Sequence, residues 1–234
     1  MEKKYELLND GVLSDDLVNN TIVKRHTLHR IKALRDFGDV KAGDLGGLIE
    51  DEDSLSHDGD SWVYDNAWVF GNAKVFGNAK VYGNAWLYGN ARVYDNATVS
   101  CYAQIHDNAE VSDNVVVYGN NTEICGNAIL YNDVELDVLG VKLSEDAYIG
   151  SRKDYVSSNN IGLGAYGIKI LAFKCKDGNV RLQCDGFYGT LDEFKSKVKI
   201  SYYNDNVFNR VNLKSAGILV NVLTKWKGLA GSYN

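Results

Sequence analysis

The sequence predicts a mainly β protein whose central part is a column of about six triangular coils. A six-residue phrase recurs from residue 62 onward as VYDNAW, VFGNAK, VFGNAK, VYGNAW, LYGNAR and VYDNAT. Its Asn-Ala pair begins at positions 66, 72, 78, 84, 90 and 96 without slippage and returns at 108. A strict short period indicates that one small structural unit stacks on copies of itself.

Each phrase alternates in the way that a strand with one buried face requires. Gly-Asn or Asp-Asn follows each short strand, and these residues accept the positive φ of a tight corner. Three such units give a triangular coil of about 18 residues, and successive coils stack about 4.8 Å apart. The residues predicted to point inward alternate between small and large and are Ala67, Val69, Ala73, Val75, Ala79, Val81, Ala85 and Leu87.

The inward pattern extends beyond the most regular phrases. It runs backwards to Ile49 and forwards to Val115, one extra residue enters within 121–126, and a second precedes Ala147. Strand edges at the ends of such a column need a cover. The predicted organisation is an N-terminal β cap over residues 1–45, a parallel column over 46–150, a hairpin-plus-helix module over 151–200 and a partly helical C-terminal segment over 201–234.

The small C-terminal α+β module is predicted from turn and cap signals. Asp177-Gly178 lies between two apolar runs, which is typical of a β-hairpin. Thr190 and Glu193 have the spacing of a capping box, so a helix is expected to begin there and run to about Val198. Apolar residues from Phe208 to Trp226 keep near-helical spacing, which predicts a last amphipathic helix.

An aliphatic residue followed four positions later by a small one, every six residues, resembles the hexapeptide-repeat, left-handed parallel β-helix. The GNA-rich phrases, preceded by HRIKALRDFGDVKAGDLGGLIE and followed by GFYGTLDEFKSKVK, closely resemble uncharacterised GNA-repeat proteins common in bacteria and their phages or prophages. The resemblance implies a left-handed coil and is compatible with a bacterial, phage or prophage origin. It implies no particular reaction.

Composition limits the function classes. No apolar run approaches the roughly 18 residues of a membrane span, and the first residues, MEKKYELLND, do not resemble a secretory signal. The four cysteines lack CxxC spacing, which favours free thiols in the cytoplasm. Residues 1–150 carry 25 acidic and 12 basic side chains, or −13, whereas residues 151–234 carry 6 and 13, or +7. The basic residues alternate with apolar ones, so nucleic-acid binding is not favoured.

Hexapeptide-repeat proteins suggest a trimeric acyltransferase that uses acyl-CoA, and His106 is the candidate catalytic residue under that alternative. Its outward position fits better with a surface residue that continues an aromatic column. A zinc site of three histidines is not predicted, because the coils hold too few. Asp65 and Asp95 are interpreted as turn formers rather than as calcium ligands, so no metal or other cofactor is expected.

Wrapping the sequence with a period of 18 places Trp68, Phe70, Trp86 and Tyr88 on one face without a charge among them. An uncharged patch of this kind often marks a contact surface. The rings can stack along the column or lie beneath a terminal segment, form a protein or self-association interface, or bind a small ligand such as a sugar or a nucleobase. These four residues are the predicted partner or ligand site.

The leading hypothesis is therefore a non-enzymatic binding module. If it comes from a phage or prophage, it is expected to act on host machinery by binding a defence protein or by sequestering a small nucleotide signal. A homotrimeric acyltransferase and a structural or assembly protein are the alternatives.

Overall fold

The computed structural model describes residues 2–18, 21–137, 140–157, 170–184, 187–196 and 224–225, without side-chain placement for parts of the N-terminal hairpin. It divides into two compact units, Met1–Gly150 and Ser151–Asn234. The mainly β architecture with a column of about six coils is confirmed. The hand of the coil stays a prediction. No helix in the described ranges is long and apolar enough to cross a membrane.

The first unit begins with three antiparallel strands. They are β1 (Tyr5–Leu7), β2 (Val12–Val18) and β3 (Thr21–Ala33), and both β1 and β2 pair with β3. Strand β3 also pairs antiparallel with β4 (Leu45–Ile49), which starts the parallel part of the sheet. The cap strands are thus hydrogen-bonded to the edge of the column, as the exposed edge of a first coil requires.

Short parallel strands form the three faces of the column, with a 3₁₀ turn at Glu52–Ser54 before them. The strands are β5 (Trp62–Val63), β6 (Trp68–Val69), β7 (Lys74–Val75), β8 (Lys80–Val81), β9 (Trp86–Leu87), β10 (Arg92–Val93), β11 (Thr98–Val99), β12 (Tyr102–Ile105), β13 (Glu110–Val111), β14 (Val116–Tyr118), β15 (Asn120–Ile124), β16 (Ile129–Leu130), β17 (Glu135–Asp137), β18 (Lys142–Leu143) and β19 (Tyr148–Ile149).

Each face stacks every third strand. The first face has the order β4-β6-β9-β12-β15-β18, the second β7-β10-β13-β16-β19 and the third β5-β8-β11-β14-β17. Trp62 pairs with Lys80 and Lys80 with Thr98, so one coil holds 18 residues. The predicted inward residues are all buried, none of them more than 1% exposed. The described column interior is therefore mainly a stack of alanine and branched aliphatic side chains.

Both predicted insertions are present. Tyr102 pairs with Asn120 but Gln104 pairs with Glu123, so one residue enters between them as a register shift. Ile124 then pairs with Leu143, and the later coil has also gained a residue. Ala147 and Ile149 remain fully buried after both insertions, so the strands stay in phase.

The corners explain the Gly-Asn and Asp-Asn pairs. Asp65 and Asp95 have φ of 52° and 57°, and the corner glycines such as Gly77 have φ near 70°. The Asp65 carboxylate accepts a hydrogen bond of 2.9 Å from the Gly83 backbone N–H one coil further on. These aspartates thus form the turns and bind the next coil, as interpreted from the sequence.

Asparagine side chains form hydrogen-bonded ladders along two of the three corners. Asn72 donates to Asn90 at 3.0 Å and Asn90 donates to Asn108 at 2.9 Å, and the Asn78 ladder repeats this arrangement. Because the coils repeat, an asparagine recurs at the same corner in successive coils, and each side-chain amide can donate to the next.

We expect Asn90→Ala to lower the free energy of unfolding by about 1 to 2 kcal/mol, because it removes two side-chain hydrogen bonds. The matched control is Asn84→Ala at the third corner, where the described structure shows no hydrogen bond from the side chain. That variant should stay within about 0.5 kcal/mol of wild type. Urea unfolding followed by circular dichroism measures both, and equal losses would contradict the ladder's contribution.

The second unit is an antiparallel sheet followed by a short helix. After a 3₁₀ turn at Arg152–Asp154, the strands are β20 (Tyr155–Ser157), β21 (Ile170–Lys174), β22 (Val180–Cys184) and β23 (Phe187–Thr190), in that order. The hairpin predicted around Asp177-Gly178 is confirmed as β21–β22. Residues 191–196 are helical.

The predicted capping box opens this helix. The Thr190 hydroxyl accepts from the Glu193 backbone N–H at 3.2 Å, and the Glu193 carboxylate accepts from the Thr190 N–H at 2.7 Å. The predicted end at Val198 lies outside the described residues. Most of the predicted last helix also lies outside them, although its residues 224–225 are described as helical.

Candidate functional site: a groove beside the aromatic face

Parallel register stacks the four aromatic residues of the predicted site into two columns on the first face. Trp68 and Trp86 are direct partners in β6 and β9, and their rings lie 5.1 Å apart at 4°. Phe70 and Tyr88 form the second column at 5.3 Å and 8°. Side chains at equivalent positions of adjacent strands meet in this way because each coil repeats the one before it.

The N-terminal cap covers part of this face. Phe70 packs with Leu28 of β3 and Leu48 of β4 and is only 4% exposed, and Trp68 and Tyr88 are partly buried against the same cluster. The His26 ring also lies 5.0 Å from the Phe70 ring. The described intramolecular cover is thus N-terminal. Trp86 extends beyond it and stays 38% exposed.

An open groove of about 600 Å³ lies beside the exposed end of the tryptophan column. This volume is within the range of small-molecule sites. Its aromatic lining consists of Trp68, Trp86 and Tyr102, and Tyr102 is 54% exposed. Its polar lining is dominated by uncharged amides, which are Asn66, Asn84, Gln104 and Asn121.

Three of the groove amides, Asn66, Asn84 and Asn121, belong to the third corner of the coil, where no asparagine ladder forms, whereas Gln104 lies on the first face opposite Trp86. Asn66 and Asn84 occupy the ladder positions there, but Tyr102 takes the next one. Within the described part of the chain, the side chains of Asn84 and Asn121 have no hydrogen bond, whereas the Asn66 Oδ1 accepts from the Arg30 guanidinium at 3.5 Å. The amides of Asn84 and Asn121 are therefore available to a ligand.

The breaks in the repeat cluster at this same corner. Cys101-Tyr102 replaces Asp65-Asn66 and Gly83-Asn84 of the two earlier coils, and Cys101 keeps the positive φ of the corner at 63°. The inserted residue of the next coil lies at the same corner, where the pairing shifts between Tyr102 with Asn120 and Gln104 with Glu123. Bulges are enriched beside functional sites, so this corner is a candidate position for one.

Arg30 and Asp10 are the charged residues that line the groove. The Arg30 guanidinium donates to the backbone carbonyls of Gly46 at 2.6 Å and Asp65 at 3.0 Å. The Asp10 carboxylate accepts from the Arg30 backbone N–H at 3.3 Å. Both charges are therefore engaged with this chain, and Arg30 holds the cap strand to the coil corner.

His106 continues the second aromatic column, since its ring stacks on Tyr88 at 4.6 Å and 8°. Its side chain is only 12% exposed, which is less than its outward position suggests. Its Nε2 lies 2.9 Å from the Glu123 carboxylate, and its Nδ1 lies 3.3 Å from that of Asp107. Lys142 completes the cluster with its amine 2.5 Å from Glu123.

The nearby thiol of Cys125 raises the question of a metal, because His106, Glu123 and Cys125 offer ligand atoms within 4.8 Å of one another. One feature argues against that use. The Lys142 ammonium already supplies positive charge at Glu123. The cluster fits a network of ion pairs better than a metal site.

The Glu123 carboxylate gives this network a testable pH dependence. Burial opposes its ionisation, but hydrogen bonds from Lys142 and His106 outweigh burial and hold its pKa below the ordinary value. Because the pKa of Glu123 is lower in the folded state, its ionised carboxylate stabilises the fold at pH values above the ordinary pKa of 4.5. This contribution is lost as the pH falls through the folded-state pKa.

We therefore expect Glu123→Gln to destabilise the protein at neutral pH and to do so progressively less towards about pH 3. Urea unfolding at a series of pH values measures the difference between variant and wild type. Lys142→Met, which removes one of the two donors, should show a weaker form of the same behaviour. A difference that stays constant with pH would contradict the assigned ion pairs.

The fold and the repeated coils define a β-solenoid repeat protein. A family model described as the YdcK beta solenoid repeat matches residues 85–101 and 91–107. These windows are offset by one six-residue phrase and include Trp86, Tyr102 and Gln104, so the similarity covers part of the groove-forming coils. No curated protein matches the chain.

The structure brings together all four predicted aromatic residues, but the sequence did not reveal Tyr102 or the amides around it. Asn84 appeared as one more corner residue, and Asn121 as part of an insertion. The signal that could have found them was the replacement of Gly-Asn by Cys101-Tyr102 in an otherwise strict phrase.

Proposed function

We propose that this protein is a non-enzymatic binding module and that its binding site is the groove beside the tryptophan column. The observation that carries the proposal is that the exposed rings of Trp86 and Tyr102, the unpaired amides of Asn84 and Asn121 and the insertion in the repeat lie around one groove. Regular coils need none of these features for stability. Exceptions to local regularity are expected where function demands them.

The lining favours binding over chemistry. General acid–base or nucleophilic catalysis needs a reactive group beside its activating partner. The charged groups of the described groove, Asp10 and Arg30, are hydrogen-bonded to the backbone of this chain, and the rest of the lining consists of the Tyr102 phenol, neutral amides and apolar groups. His106, the candidate of the acyltransferase alternative, is not part of the groove lining, and its side chain is only 12% exposed.

A protein partner or self-association is the second candidate. Val12 and Leu13 of β2 are 41% and 58% exposed, and Val12 lines the groove together with Trp86. A second chain seated there would bury these side chains and the exposed rings together. Sedimentation of the wild-type protein and of Leu13→Ser distinguishes this candidate, because only an interface at β2 makes the mass depend on Leu13.

The test of the leading proposal uses small molecules extracted from the cells that make the protein. Purified wild-type protein is equilibrated with the protein-free extract and filtered rapidly, and retained compounds are identified by mass spectrometry. We expect a compound that wild type retains and Trp86→Ser does not. Tyr94→Ala is the matched control, since Tyr94 stacks with Phe76 on the second face. Identical retention by all three proteins would overturn the groove as the binding site.

A further inference from the structure

We propose that the ligand of the groove is a neutral oligosaccharide that lies along the column axis. This inference rests on the proposed function and adds the chemical class of the ligand. It follows from the ring surfaces, the amide pattern, the charge and the repeat of the groove, each of which narrows the class further.

The exposed rings suit the apolar face of a sugar. Tyr102 is 54% exposed, and no aromatic ring within the described ranges stacks on it. Trp86 is covered on one side by Trp68 and stays 38% exposed at the groove. The C–H groups on one face of a pyranose carry slight positive charge, and the face of an aromatic ring carries the opposite charge. Contact there also removes apolar surface from water.

The polar groups suit hydroxyls. A carboxamide offers donors and an acceptor side by side, and a hydroxyl is both donor and acceptor. The side chains of Asn84 and Asn121 are without hydrogen bonds in the described structure, and Gln104 Oε1 has a long contact of 3.5 Å with the Tyr88 hydroxyl. A ligand rich in hydroxyls can satisfy these amides without leaving a buried group unpaired.

Charge argues against an anionic ligand such as a nucleotide. Arg30 is the one cation among the described groove residues, and its guanidinium is bound to the carbonyls of Gly46 and Asp65. The net charge of residues 1–150 is −13, from 25 acidic and 12 basic side chains. The field of such a surface repels phosphates. A neutral ligand is not repelled by this charge and does not need Arg30 as a partner.

The repeat of the coil argues for a ligand with repeating units. Asn66 and Asn84 occupy the same corner in successive coils, and the two tryptophan rings beside them lie 5.1 Å apart along the same axis. Amides that recur once per coil can hydrogen-bond hydroxyls that recur once per sugar unit. The groove is open and about 600 Å³ in volume, which accommodates a short chain of sugars rather than one ring.

The experiment is isothermal titration of the full-length protein with maltotriose, cellotriose, mannotriose and triacetylchitotriose, and with adenosine monophosphate as the anionic probe. We expect at least one trisaccharide to bind with a Kd of about 1 mM or tighter. Tyr102→Ala and Asn84→Ala should each weaken that binding by about tenfold or more, whereas Tyr94→Ala on the second face should leave it unchanged.

The outcomes separate the saccharide assignment from the proposed binding site. If no trisaccharide binds, the saccharide assignment is overturned. Should adenosine monophosphate then bind in a manner that Trp86→Ser abolishes, the groove remains the binding site with another ligand class. If no probe binds and wild type, Trp86→Ser and Tyr94→Ala also retain the same compounds from the cell extract, the proposed function fails as well.

Discussion

Val99→Asp is expected to cost about 4 to 5 kcal/mol or more, enough to unfold much of the column. Val99 is fully buried in the third face, with Val81 opposite in the preceding coil and Val117 in the next. The described interior around it is a stack of aliphatic side chains and offers no partner for a carboxylate. Small domains are stable by about 5 to 15 kcal/mol in total, so one buried carboxyl removes a large share.

Thr98→Asp is the matched control, because Thr98 precedes Val99 on the same strand and points outward. Lys80 lies directly opposite Thr98 in the neighbouring strand and is already paired with Asp39 at 2.8 Å, so the new carboxylate is left to solvent rather than to a buried site. That variant should stay within about 1 kcal/mol of wild type. Urea unfolding followed by far-ultraviolet circular dichroism compares the two. Similar midpoints for both variants would show that the inward and outward positions have been assigned wrongly.

Gly77→Val is expected to cost about 3 kcal/mol or more, for a reason that concerns the corner rather than the core. Gly77 has φ of +69°, and a Cβ added there would lie 2.8 Å from the backbone nitrogen of Asp95 in the next coil. Valine tolerates this backbone conformation poorly because its side chain branches at Cβ. Either the corner or the stacking of the two coils must shift.

Gly77→Asn separates the two causes. Asparagine visits the left-handed region more readily, and the equivalent corner residue one coil later is itself Asp95 with φ of 57°. We expect a loss of about 1 to 2 kcal/mol, clearly smaller than that of valine. Thermal unfolding measures both. Equal losses would mean that the close approach to Asp95, and not the backbone conformation, determines the cost.

The column could be predicted from the sequence because its tertiary neighbours are copies of one another. Once Val81 points inward, the same phase places Val99 and Val63 inward, so a local pattern fixes the contact across coils. The same holds for Trp68 and Trp86, whose stacking follows from the period alone. The corners could also be predicted from local sequence, since glycine, aspartate and asparagine are the residues that accept positive φ.

The groove could not be predicted in this way because its walls are not copies. Asp10 and Arg30 come from the cap, whereas Asn84 and Asn121 come from separate coils, and no period relates the cap to the coils. The partial cover of Phe70 by Leu28 has the same origin, since the fold-back of β3 follows no repeat. The burial and ion pairs of His106 also could not be predicted, because its partner Glu123 lies beyond the inserted residue.

The most direct test of the groove as the binding site is fluorine nuclear magnetic resonance of protein labelled with 5-fluorotryptophan. The chain has four tryptophans, and single Trp→Phe variants assign their signals. We predict that the best-binding trisaccharide, or the compound retained from the cell extract, shifts the signals of Trp68 and Trp86 in a saturable manner. The signal of Trp62, which is 1% exposed because its ring packs against Tyr5 and Phe37 of the N-terminal cap, should not move. Saturable binding that leaves the Trp68 and Trp86 signals in place would contradict the account.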